Sequence, residues 1–137
     1  MTNKEKIKYL SQYTKLIIEY KHNHAAYQKL RHQFSFPGAG VQAFHLTPVG
    51  EGSGNPIEAD YFRLLKLEEI LGATLARMNA IEKSIFELED AMHRTVLRLR
   101  YIDGYSWEKI CVTINYEWTW THRIHSNALM KIRVEGE

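Results

Sequence analysis

Cysteine is almost missing from this sequence of 137 residues, where Cys111 stands alone. One cysteine cannot form an internal disulfide, and with the histidines scattered as they are it assembles no zinc site. Proline and glycine are scarce outside one stretch: all three prolines and five of the eight glycines lie within 35–56. Long apolar runs are absent too, and none approaches the roughly 18 residues that a membrane-spanning helix requires. The opening residues MTNKEKIKYL carry neither the apolar segment nor the cleavage site of a secretion signal. These absences set the expectation of a cytoplasmic protein in a reducing compartment, with no membrane, metal or cofactor.

What is present is ordinary globular material, 45% apolar and 25% charged, enough for a packed core. No glycine-rich phosphate loop follows a strand and no Ser, His and Asp set is implied. The adjacent acids Glu68-Glu69 and Glu89-Asp90 fall on helix surfaces or ends. An enzyme is therefore not expected. Charge is unevenly placed: residues 1–34 carry seven positive and two negative side chains, 57–90 four and eight, and 91–137 seven and five. A basic first segment and an acidic second one suit mutual pairing, with nucleic acid as the other use of the basic charge.

From Lys4 to Phe34 neither glycine nor proline occurs, and Leu10, Tyr13, Ile17, Tyr20, His24, Tyr27 and Phe34 recur at spacings of three, four and seven. This predicts one long amphipathic helix over 1–34. Its stripe is aromatic, holds a histidine and has Arg31 on the seam, which fits an antiparallel hairpin better than a parallel zipper. A Gly/Pro-rich loop follows over 35–56. A second helix over 57–89 carries Leu64, Leu67, Leu71, Met78, Ile81, Ile85 and Leu88 on one face. Helices of this length span about 45 Å and cannot bury such stripes alone, so they pair in a hairpin or form a homodimer.

After Leu88 the punctuation tightens. Asp90 caps a helix through Val96, Leu97 and Tyr101 that Gly104 ends, Ser106 caps the next, and Asn115 supplies the turn into a last helix from Trp118 to Ile132. Helix, short turn and helix is the pattern of a helix-turn-helix over 90–137. In it Ile110, Ile114, Thr121 and Ile124 face inward, and Cys111 is the small, buried residue where the helices cross. Trp118, Thr119, His122, Arg123 and Ser126 then face outward, towards a major groove, with Arg123 suited to a bidentate contact with guanine. Lys109, Lys131 and Arg133, together with Arg94, Arg98 and Arg100, are candidate phosphate contacts, and Trp107 is a core candidate. His122 and His125 lie three apart, but no further ligand sits one turn along, so metal is not implied.

The run RTVLRLRYIDGYSWEKICVTINYEWTWTHRIHSNALMKI resembles region four of bacterial sigma factors as carried by phage regulators of the ArpU kind. The resemblance rests on Leu97, Arg100, Tyr101, Asp103-Gly104, Trp107, Ile110, Tyr116, Arg123, Ile124, His125, Ala128 and Leu129, and covers about the last third of the chain. It implies a phage or prophage transcription regulator in the host cytoplasm that binds double-stranded promoter DNA and contacts RNA polymerase or another regulator. Two positions depart from that pattern. Glu117 stands where a capping serine is usual, and Trp120 where a small polar residue is usual. Glu117 is a poorer cap and repels phosphate, although its carboxylate can accept a hydrogen bond from cytosine. The whole reads as an all-α protein, a long two-helix hairpin followed by a sigma region-four-like three-helix unit. The alternatives are an interaction protein whose old DNA face, with Glu117, Trp118 and Trp120, now binds protein, and a small-terminase-like DNA-packaging component.

Overall fold

Helix α1 (Asn3–Ser35) opens on a reciprocal cap that the spacing Thr2-x-x-Glu5 makes possible. The Thr2 hydroxyl accepts from the Glu5 N–H at 3.2 Å, and the Glu5 carboxylate accepts from the Thr2 N–H at 2.8 Å. Helix α2 (Pro56–Phe86) starts on a proline, whose missing N–H costs nothing in the first turn. Three shorter helices follow, α3 (Ala91–Leu97), α4 (Trp107–Ile114) and α5 (Trp118–Lys131), with a π-helical turn at Arg98–Ile102 between α3 and α4. The computed structural model describes residues 1–35 and 56–134, and every element among them is helical. The loop expected over 35–56 lies outside the described residues except at its ends, which belong to α1 and α2. Among the described residues no helix is long and apolar enough to cross a membrane, and no group of three or more His, Cys, Asp or Glu is placed to hold a metal ion.

The chain divides into two units, Met1–Ile17 with Ala76–Glu137, and Ile18–Leu75. In the second, Tyr27 of α1 packs with Leu64 and Leu71 of α2, flanked by Tyr20, Leu30, Phe34 and Leu67. The Tyr27 hydroxyl donates to Glu68 at 2.7 Å and accepts from Arg31 at 3.0 Å, so one phenol ties the acidic helix to the basic one. Phe34 meets Tyr61 edge-on at 6.0 Å. His24, expected on the buried stripe, is exposed and stacks on Tyr20 at 5.7 Å.

In the other unit α1 contributes Leu10, Tyr13 and Leu16 to a core with Met78, Ile81, Ile85 and Leu88 of α2, and with Val96, Leu97, Ile110, Ala128, Leu129 and Ile132 of the C-terminal elements. Tyr13 donates to Glu82 at 2.8 Å; burial, then that hydrogen bond, pushes its hydroxyl up to about 12. Lys6 is buried, and its ammonium donates to the Leu129 carbonyl at 2.8 Å, on one of the last-turn oxygens of α5 that has no partner within the helix. Arg94 donates to the carbonyls of Leu88 at 2.6 Å and Glu89 at 2.9 Å, which fixes the corner between α2 and α3.

Candidate nucleic-acid interface

The C-terminal elements are set by caps that the sequence specifies residue by residue. The Asp90 carboxylate accepts from the N–H groups of Met92 and His93 at 2.8 and 3.1 Å; the bond from His93, opposed by desolvation and aided by the bond from Met92, holds it below its ordinary range. Helix α3 then widens, because the Asp103 N–H reaches five residues back to the Arg98 carbonyl at 2.9 Å. The chain leaves through Gly104 at φ 73°, where a β-carbon would be strained. The Ser106 hydroxyl accepts from the Lys109 N–H at 3.2 Å and starts α4, and Asn115, at φ 59° and ψ 44°, ends it in the left-handed conformation. Three residues later, at Trp118, α5 begins. Its N-cap is Glu117, whose side chain makes no capping hydrogen bond.

One side of α5 is buried through Thr121, Ile124, His125, Ala128 and Leu129. His125 lies with its Nε2 2.7 Å from the Tyr101 hydroxyl. With the imidazole neutral and its proton placed on Nδ1, the phenol is the donor. Burial, then the nearby His122 and Arg100, push His125 down to about 4, and burial pushes Tyr101 up to about 12, so both groups stay neutral near pH 7. The opposite side of α5 presents Thr119, Arg123, Ser126 and Met130 to solvent at spacings of four, three and four, one exposed row along about 17 Å of helix.

Neither a family model, a curated protein nor a solved structure matches the chain. The chemistry of the face must therefore be read from its own residues.

Thr119, Arg123 and Ser126 share that outer row, and Glu117 and Trp118 are exposed at its start. The Arg123 guanidinium lies 5.5 Å over the Trp120 ring, which restrains it without covering its donors. His122 departs from its expected outward place. It lies between the indoles of Trp107 at 4.3 Å and Trp118 at 4.4 Å, and its Nε2 is buried with no hydrogen-bond partner. The reason is angular, because His122 sits one residue from the inward Thr121 and reaches Trp107 across the α4–α5 angle. Trp107 in turn is half-buried rather than core, carrying Arg100 at 4.8 Å on one side and His125 edge-on at 4.7 Å. Cys111 is likewise half-buried, not buried, whereas Ile110, one residue before it on α4, is fully buried.

The cations divide into two groups. Lys109 is exposed beside the start of α4, 3.9 Å over the Tyr105 ring. Lys131 and Arg133 are also exposed, but they line a groove with Glu87, Glu89 and Asp90, so carboxylates compete there with any phosphate. Arg94 and Arg100 hold backbone carbonyls, and Arg98 lies over Phe86 at 5.7 Å, so these three support the fold. Asn127 escaped the sequence reading. It is exposed four residues after Arg123, on the flank of the same row, and that i+4 spacing was the available signal.

Proposed function

We propose that this protein is a transcription regulator of the phage kind. It binds double-stranded DNA by laying α5 in the major groove, in the manner of a sigma region-four helix-turn-helix that follows a two-helix hairpin in the chain. The observation that carries this reading is the pairing of a capped α4, a left-handed Asn115 and an α5 whose inner side is buried while Thr119, Arg123 and Ser126 form an exposed row. Arg and Asn at exposed positions of such a helix are base-edge readers, guanine for Arg123 and adenine for Asn127. The Lys109 ammonium, exposed beside the start of α4, is suited to a phosphate.

The test is binding to sites selected from random duplexes. Arg123→Ala should cost about 1–3 kcal/mol on a selected site and flatten preference at one base pair. Lys109→Ala should weaken all sequences alike and lower the salt slope by about one. Absence of any salt-dependent binding to duplex DNA sinks the reading.

One observation favours a second reading, a docking surface for another regulator or RNA polymerase: Val112, Tyr116, Trp118 and Trp120 are all large, apolar and exposed around the start of α5. Loss of partner capture on Trp118→Ala, with DNA binding unaffected by Arg123→Ala, would select it.

A further inference from the structure

A cavity of about 500 Å³ opens where the first half of α1 meets the C-terminal elements, all within the unit of Met1–Ile17 and Ala76–Glu137. Sites for small organic molecules run from roughly 300 to 1,000 Å³, so its size admits one. Helix α1 supplies Ile7, Ser11 and Thr14 to its wall, the π-helical turn Arg100, α4 Trp107 and α5 His122. No carboxylate lines it among the described residues. Asp103 and Glu108, each adjacent in sequence to a lining residue, are exposed and stand outside it.

The groups that do line the cavity favour an anion. The Arg100 guanidinium is held by a 3.0 Å bond to the Tyr105 carbonyl and by the Trp107 ring at 4.8 Å. Its remaining N–H donors make no hydrogen bond among the described residues, which leaves a restrained, planar donor set of the kind that grips a carboxylate. Ser11 and Thr14 are exposed along the α1 edge. The helical neighbours of Ser11 at three and four residues are Ile7, Lys8, Thr14 and Lys15, so two exposed lysines flank the same edge. His122 adds an independent sign, because its Nε2 is the one buried side-chain polar atom among the described residues that lacks a hydrogen-bond partner. An orphan of that kind in a cavity wall marks where polar pairing is left to an occupant. Ile7, 37% exposed, and the half-buried indole of Trp107 give the cavity an apolar part as well. A phosphate of the DNA backbone needs no such wall, whereas the ring of a small organic acid uses one.

We infer that this cavity binds a small aromatic carboxylate, its carboxylate on Arg100 with the hydroxyls of Ser11 and Thr14 and its ring against Ile7 and Trp107. Such a ligand touches α1 and both helices of the helix-turn-helix, so it stabilises the unit that carries α5. The inference goes beyond DNA binding and does not rest on it, since it is measured on the protein alone.

Phenylacetate titrated into the full chain at low ionic strength should give a saturable change in tryptophan fluorescence and raise the midpoint of thermal unfolding. Phenylacetamide, which keeps the ring without the charge, should do neither, and nor should acetate, which keeps the charge without the ring. Because Arg100 also holds the Tyr105 carbonyl, loss of binding on its replacement is open to explanation by misfolding, so the deciding variants are at the exposed Ser11. Ser11→Glu, which sets a carboxylate at the cavity edge on a residue that favours helix, should keep helicity and weaken binding about tenfold, while Ser11→Lys should tighten it. No saturable change up to about 10 mM phenylacetate overturns the inference, as does equal binding of phenylacetamide or acetate. So does equal binding by Ser11→Glu and Ser11→Lys, since the fluorescence would then report a site elsewhere, at Trp118 or Trp120.

Discussion

Glu117 is the residue where capping and ligand electrostatics act together. It stands at the N-cap of α5 with no capping bond, so the first N–H groups of that helix lack a side-chain partner, and its negative charge sits where a phosphate would approach. Glu117→Ser should therefore stabilise the protein by about 1 kcal/mol, read as a higher midpoint in thermal unfolding followed by circular dichroism. It should also tighten DNA binding without changing the preferred sequence. His125 gives the second expectation at this scale. Its folded value near 4 lies below the ordinary 6.5, so the folded state binds fewer protons than the unfolded chain between those values. Stability is then full above about pH 6.5 and declines as pH falls towards 4, by roughly 2–3 kcal/mol from this group alone. Urea unfolding at pH 7.5 and pH 5 should show that loss, and His125→Gln should reduce it while lowering stability at both pH values. The residue scale was also where the sequence was least legible. His122 and Lys6 each depend on a neighbour far along the chain or across a helix angle, and nothing in their own local spacing names that neighbour.

At the scale of elements the reverse holds. Asp90, Gly104, Ser106 and Asn115 are local signals, each acting within a few residues, and all four stand where their chemistry places them. Asn115→Val should cost about 1–2 kcal/mol, because a β-branched residue resists the left-handed conformation, whereas Asn115→Gly should be close to neutral. Chemical denaturation of the two variants checks this. The π-helical turn was not legible. It coincides with the burial of Tyr101 against His125, 24 residues further on, a contact that the local sequence of Arg98–Ile102 does not announce. The outward row of α5 was legible in Thr119, Arg123 and Ser126, which follow from the helical period. His122 was not, since it lies on the border between the two faces, where the period does not decide.

At the scale of the molecule, the unit that holds α3, α4 and α5 also takes in both the start of α1 and the end of α2. Leu10 is fully buried, as are Ile81, Ile85, Leu97 and Leu129 of the same unit. Leu10→Ala should then cost about 2–5 kcal/mol, despite lying about 100 residues before the candidate interface. A fragment of 90–137 should unfold at lower denaturant than the full chain, with a shallow transition, and should bind DNA weakly. If that fragment keeps the full chain's midpoint, the shared core contributes nothing.

The Lys6 ammonium that reaches the Leu129 carbonyl closes a contact across 123 positions of the chain. In folding terms this is a contact of very high order, slow to form because nearly every intervening residue must first be placed. During synthesis the first turns of α1 leave the ribosome long before their partners exist. They must wait with Lys6 and Leu10 in water until α5 has been made. Assembly of this unit therefore waits for the synthesis of α5, and until then Leu10, Tyr13 and Leu16 are the surface a chaperone would meet.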